Sequence, residues 1–176
     1  MKNLTYLILG VITVFLVQGC HNKRAKNYNQ TTLVDIQGLN FITSGIEGGL
    51  AEIKASGLAI TNSSNQRVIR FAKMMIRDHT QAGDKLKKIE TDKLVVEKDT
   101  INAGHQKMII DISKKSGPAF DKAYMQMMVK DHENAVKLFA DATTNNEAAI
   151  QNFAKKTLPI IQMHLDSAKI IVASLK

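Results

Sequence analysis

The chain contains very little cysteine and few aromatic side chains. Cys20 is its one cysteine, so the chain forms no internal disulfide bond. It has six Phe, three Tyr and no Trp in 176 residues, which is a poor supply of rings for stacking nucleic-acid bases. The sequence therefore predicts no nucleic-acid partner, and its lone cysteine calls for another explanation.

The common sequence motifs of catalysis are also missing. The chain has no Gly-x-Ser-x-Gly nucleophile turn, no phosphate-binding loop and no cysteine–histidine pair for nucleophilic catalysis. No segment of useful length alternates between apolar and polar residues as a half-buried strand does. These absences favour an all-α protein without catalytic activity.

The N-terminus explains the cysteine. Lys2 precedes an apolar run from Leu4 to Val17, which is shorter than the roughly 20 residues of a membrane span. The run ends in Val17-Gln18-Gly19-Cys20, which resembles a bacterial lipobox, in which the signal is cleaved before a cysteine that is then lipidated. Acylation would also remove the liability of a free thiol in a secreted protein. We expect residues 1–19 to be a lipoprotein signal peptide and Cys20 to be the lipidation site.

The residues after Cys20 predict where the protein is held. Residues 20–34 are polar and predict a flexible tether between the lipid and the folded domain. His21, rather than Asp, follows the cysteine, which favours the outer membrane over the inner one. We therefore expect a membrane-anchored protein of the bacterial envelope that faces the periplasm.

Residues 35–176 predict one helical domain. Apolar residues recur every three to four positions in four long segments, as in amphipathic helices, and a polar crossover joins the two halves. Four long helices in two hairpins with one longer crossover form the ferritin-like four-helix bundle. The predicted helices, including a short extra helix in the crossover, are 35–61, 64–90, 105–115, 118–143 and 147–174.

An internal repeat lies at the centre of this domain. The segment Met74–His79 returns 53 positions later as Met127–His132, and each copy ends in an Asp-His pair. Repeats of this kind usually indicate similar helical units packed together. The repeat predicts that Asp78, His79, Asp131 and His132 lie at equivalent positions of two helices.

These residues, with two others, predict a candidate metal site. His79, His132 and His164 fall on inward or near-inward positions of three long helices, and Glu52 of the first helix could complete the set. Imidazole and carboxylate ligands suit Zn, Fe, Mn or Cu(II). Asp78 and Asp131 could be further ligands, or could accept the second ring N–H of a histidine on another helix.

The residues leave other interpretations of the site open. Methionines lie four positions before two of the histidines, and Met163 adjoins His164, so thioether and imidazole could hold Cu(I) or a haem. The histidines and carboxylates could instead form a buried polar network that fixes helix register. A di-iron centre is disfavoured, because no long helix contains Glu-x-x-His.

Four motifs in order resemble a known family. They are Glu47–Glu52, Phe71–His79, Phe120–His132 and Thr157–His164. Together they are similar to the bacterial family called domain of unknown function 4142, over about residues 35–171. The resemblance implies a ferritin-like bundle in the envelope and supplies no activity.

The sequence favours a non-catalytic binding or structural role in the envelope. One alternative is a metal-binding protein (Cu, Zn or Fe) or a metal-dependent redox enzyme, with Glu52, His79, His132 and His164 at its centre. The other is a module that binds an unidentified protein partner through an exposed apolar patch.

Overall fold

The structure, a computed structural model, describes residues 32–175, which fold into five α-helices without a strand. The predicted signal peptide and the lipidation site lie outside these residues. Every predicted helix is present, and its ends lie within two residues of the predicted ones. The helices are α1 (Ile36–Asn62), α2 (Gln66–Asp92), α3 (Ala103–Ser113), α4 (Gly117–Ala142) and α5 (Ala148–Ser174).

The four long helices pack as two hairpins. α1 pairs with α2 and α4 pairs with α5, each across a short connection, and α1 then packs on α4 and α2 on α5. The short α3 lies in the crossover between the hairpins and packs against α1 and α4. This is the bundle with one long crossover that the sequence predicts.

Side chains before the helices explain where the helices begin. The carboxylate of Asp35, the N-cap of α1, accepts a 2.7 Å hydrogen bond from the Gly38 N–H. Asn65 and Asn102 cap α2 and α3 in the same way. Pro118 lies in the first turn of α4, where its missing N–H costs no helical hydrogen bond.

Two apolar clusters form the core, one toward each end of the bundle. One cluster contains Phe71, Phe120 and Tyr124, and the other contains Phe41 and Phe139. On each long helix, the segment between the two clusters carries a polar residue of the predicted site. A polar layer therefore divides the core, and it consists of Glu52, His79, His132 and His164.

Two glycines of α1 have different surroundings. A Cβ at Gly45 would lie 2.7 Å from Leu86 Cδ2 of α2, so this glycine permits the close approach of the two helices. A Cβ at Gly48 would meet nothing within 4 Å. Gly48 therefore faces a space rather than a neighbouring helix.

Within residues 32–175, no helix combines the length and apolar character that a membrane crossing requires.

Candidate metal centre

Three imidazoles from three helices meet in the polar layer. His79 of α2, His132 of α4 and His164 of α5 have ring centroids 5.5–5.6 Å apart in every pair. One ring nitrogen of each lies within 4.8 Å of those of the other two. His132 and His164 are essentially inaccessible to solvent, at 0% and 1% exposure.

Each of the three rings has one buried nitrogen without a hydrogen-bond partner. These atoms are His79 Nε2, His132 Nε2 and His164 Nδ1. An unpartnered buried polar atom costs about 1–3 kcal/mol, so folded proteins rarely keep three of them together. A bound ion is one of the few arrangements that satisfies all three at once.

The other nitrogen of each ring lies against an oxygen. His132 Nδ1 is 2.9 Å from the Met128 carbonyl oxygen, an acceptor, so this nitrogen carries the proton and donates it. Glu52 lies between two of the rings, with its carboxyl oxygens 3.1 Å from His79 Nδ1 and 3.2 Å from His132 Nδ1. These oxygens orient the rings and leave the Nε2 lone pairs directed elsewhere, as carboxylates and carbonyls do around metal-bound histidines.

His164 is held from the opposite side of the layer. Asp78 Oδ2 lies 3.0 Å from His164 Nε2, and Arg77 Nε donates to Asp78 Oδ1 at 2.7 Å. The hydrogen bond from Arg77 is the main cause that lowers the pKa of Asp78. Asp78 therefore stays ionised and accepts the Nε2 proton of His164, which leaves the lone pair on Nδ1.

Burial keeps the three imidazoles neutral. Burial is the main cause that lowers the pKa of His79 to about 3 and that of His132 to about 4, and it also lowers the pKa of His164. Neutral imidazole is the form that binds metals. Burial, with the charge of Asp131, raises the pKa of Glu52 well above its usual value. This shift indicates that no positively charged group stabilises the ionised carboxylate.

The donor set fits a transition-metal ion. Three imidazole nitrogens around a tetrahedral ion at about 2.0–2.1 Å lie roughly 3.4 Å apart, so each ring would move inward by about 1 Å or less. Three neutral nitrogens without a thiolate suit Zn²⁺ and Cu²⁺. Three protein ligands leave a fourth position open, as in catalytic rather than structural zinc sites.

The three predicted carboxylates surround this cluster and are not among its converging donors. Glu52 and Asp78 contact the rings from outside, as described. Asp131 faces away from the three imidazoles, with Oδ1 3.6 Å from Nε2 of His105. Adjacent Asp and His residues in each repeat therefore take different partners, because neighbours on a helix point about 100° apart.

His105 is a part of this region that the sequence reasoning missed. It lies on α3, where its Nδ1 is 2.7 Å from Glu47 Oε1 of α1. Although burial acts in the other direction, the hydrogen bond to Glu47 and the charge of Asp131 raise the pKa of His105. The order of the helices could have indicated this position, because a crossover that joins two hairpins must pass the outward side of α1 and α4.

The three methionines predicted as possible ligands differ in their exposure to solvent. Met75 and Met128 are fully buried in the apolar cluster around Tyr124. Met163 is 47% exposed. It lies at a cavity that reaches the histidines.

That cavity has a volume of about 750 Å³ and extends along the bundle from the polar layer. His79, His164 and Glu52 line one end, and Leu86, Phe139 and Phe153 line the other. Polar and apolar side chains both line the space between them, and most of the cavity surface comes from apolar atoms. The cavity joins the candidate metal centre to a space large enough for a small molecule.

Comparisons with known proteins agree with the fold and name no activity. The family described as Domain of unknown function (DUF4142) matches residues 23–171. A solved structure, the crystal structure of a DUF305 fragment from Deinococcus radiodurans, superposes with a TM-score of 0.72 at 10% sequence identity. The match covers 81% of this chain and 99% of that one, and at this identity it shows the fold alone. No curated protein sequence matches the chain.

Proposed function

We propose that this chain, which belongs to the DUF4142 family, is a metal-binding protein with His79, His132 and His164 as the ligands. The ion would be Zn²⁺ or Cu²⁺, held by His79 Nε2, His132 Nε2 and His164 Nδ1. Glu52 and Asp78 would orient the rings without touching the ion. Glu52 would offset part of the positive charge of the ion, since Asp78 is already paired with Arg77.

The observation that carries this proposal is that three neighbouring imidazoles, with ring centroids 5.5–5.6 Å apart, each have a buried nitrogen without a hydrogen-bond partner. A polar network that only fixed helix register would pair its buried groups with one another. Here one nitrogen of each ring lies 2.9–3.1 Å from an oxygen, whereas the other nitrogen has no partner. A metal ion supplies the missing partner of all three rings.

The test is a metal titration of the protein made from its full gene and purified in detergent. After treatment with a chelator and its removal, we expect one Zn²⁺ or Cu²⁺ per chain by calorimetry and by elemental analysis. His132→Ala should reduce the affinity at least 100-fold. His105→Ala is the matched control, because it removes a histidine outside the cluster and should leave the affinity unchanged.

Two results would contradict the proposal. One is the absence of stoichiometric binding of either ion by a folded protein. The other is an equal loss of affinity in the two variants, since it would place the ion elsewhere.

The proposed location is the bacterial envelope, through a lipid on Cys20. The apolar segment and the lipobox-like residues before this cysteine support it. Cys20→Ser should abolish the incorporation of labelled palmitate and release the protein from the membrane fraction. Retention of the label in that variant would count against the lipid anchor.

A further inference from the structure

The cavity beside the three histidines has the features of a ligand pocket. Its volume of about 750 Å³ lies within the range of pockets that bind small molecules. The stretch of α1 that lines it, from Ser44 to Ile53, spans roughly 14 Å at about 1.5 Å per residue. Close-packed protein interiors do not leave spaces of this size unfilled by side chains without a reason.

Two glycines keep this space open without serving helix packing. Gly48 of α1 and Gly83 of α2 both line the cavity, and a Cβ at either would meet nothing within 4 Å. A glycine inside a helix costs about 1 kcal/mol relative to alanine. No neighbouring atom requires the missing side chain at these two positions, so a larger side chain there would extend into the open space.

The lining of the cavity includes solvent-exposed side chains on both α2 and α5. Gln81, Asp84 and Lys85 form its α2 side and are exposed to solvent. On the α5 side, Ile160 and Met163 are 43% and 47% exposed although both are apolar. An apolar rim of this kind favours the entry of a molecule with an apolar body.

The inner end of the cavity selects the head group of that molecule. His164 is 1% exposed, lines the cavity and carries a nitrogen without a partner. With three neutral imidazoles as ligands, the ion keeps its full positive charge and an open position. Asp78 is already paired with Arg77, so Glu52 offsets only part of this charge. An anionic oxygen ligand would fill the open position and balance the rest, whereas a neutral group would leave it uncompensated.

We propose that the cavity binds an apolar carboxylate, with its alkyl or aryl body along the cavity and its carboxylate on the open position of the metal ion. This inference rests on the proposed metal-binding function. Without the ion, the ionised carboxylate of Asp78, which lines the inner end, would repel the head group. The ligand and the ion should therefore each increase the affinity of the other by the same factor.

The test uses octanoate as the probe and the full-length protein loaded with Zn²⁺. We expect saturable binding of octanoate by calorimetry, and binding at least tenfold weaker for acetate, which lacks the apolar body. The metal-free protein should bind octanoate at least tenfold more weakly than the Zn²⁺ form.

A pair of variants separates the cavity from the metal site. Gly48→Leu places a side chain in the cavity, whereas Gly57→Leu places the same side chain on the same helix at an exposed position that also has no atom within 4 Å. Gly48→Leu should lose octanoate binding at least tenfold, and Gly57→Leu should keep it. Both variants should bind one Zn²⁺ per chain, which shows that the leucine has not disrupted the bundle.

The outcomes distinguish this inference from the proposed function. Stoichiometric Zn²⁺ without octanoate binding would overturn the inference and leave the metal site in place. Equal octanoate binding with and without Zn²⁺, or equal binding by the two leucine variants, would also overturn it. If the folded protein bound no metal, the proposed function and this inference would both fail.

Discussion

Glu52 is the residue with the most unusual surroundings in the domain. It is 4% exposed, and it lies within about 3 Å of two imidazoles whose low pKa values keep them uncharged. A carboxyl group in this position lacks a cation, and burial raises its pKa as a result. A metal ion on the far side of the two rings would supply the missing positive charge.

We predict that Glu52→Gln weakens metal binding without preventing folding. The amide keeps the shape of the side chain and removes the charge, and losses of this kind around metal-bound histidines cost about 10–100-fold in affinity. Competition titration with a metal indicator measures the change. Glu47→Gln is the control, since Glu47 contacts His105 and not the three imidazoles, and an equal loss there would show that Glu52 has no special role.

The low pKa values of His79 and His132 predict acid sensitivity of the metal-free protein. In the unfolded chain these histidines bind protons near pH 6.5, whereas in the fold they do so near pH 3 and 4. Between these values the unfolded state binds more protons, so stability falls as the pH falls below about 6.5. The loss is of the order of 3 kcal/mol per histidine by pH 4.

Urea unfolding of the chelator-treated protein at pH 7.5 and pH 4.5 measures this loss. His79→Leu/His132→Leu should show a smaller decrease over the same range, because it lacks the two groups that titrate. If the variant and the parent lost equal stability, the acid sensitivity would arise elsewhere in the protein.

At the scale of elements, α3 is the part of the fold that local sequence explains least. It is short, its ends are polar, and only Ile109 and Ile112 of its side chains are buried. His105 fixes it to both hairpins at once, through Glu47 of α1 and Asp131 of α4. This contact holds the crossover against the wall of the cavity, since all three residues line it.

We predict that His105→Ala destabilises the domain by about 1 kcal/mol at pH 6 and by less at pH 9. The fold raises the pKa of His105, so its ion pairs stabilise the protein fully below the unfolded pKa of about 6.5. This contribution is lost as the pH rises through the raised pKa. Denaturant unfolding at the two pH values measures it.

Lys107→Ala serves as the comparison for this variant. It breaks an exposed pair with Asp111 in the same helix and should change stability little at either pH. A cost of His105→Ala that did not depend on pH would indicate that packing, rather than charge, holds α3.

At the scale of the whole molecule, the candidate metal centre joins the two hairpins. His79 belongs to the first hairpin, whereas His132 and His164 belong to the second. An ion bound to all three histidines connects helices that separate when the protein unfolds. It therefore binds the native state and not the unfolded chain. Its binding free energy then adds directly to the stability of the fold.

We predict that free Zn²⁺ at 100 times its dissociation constant raises stability by about 2.7 kcal/mol. For a domain of this size, the melting temperature should rise by roughly 5–10 °C. Circular dichroism during heating measures it, and a chelator should reverse it. Mg²⁺ should have no effect because it prefers oxygen ligands, and an equal increase with Mg²⁺ would indicate non-specific binding to surface carboxylates.

The amino-acid sequence alone determined the helices and the residues that face inward. Helix formation depends on neighbours three and four positions away and on capping residues such as Asp35, so the sequence itself contains the necessary information. For the same reason, the period of three to four residues placed His79, His132 and His164 on or near the inward faces of α2, α4 and α5. The four-helix architecture followed from the number, length and spacing of these helices.

Only the tertiary structure decided which partner each of these side chains meets. Glu52 lies between two histidines, Asp78 contacts the third, and Asp131 turns to His105, although the two Asp-His pairs are alike in sequence. These choices depend on how far each helix is rotated and shifted along its axis against its neighbours, which no local pattern contains. The cavity has the same origin, since it is the space that the packed helices leave beside Gly48 and Gly83.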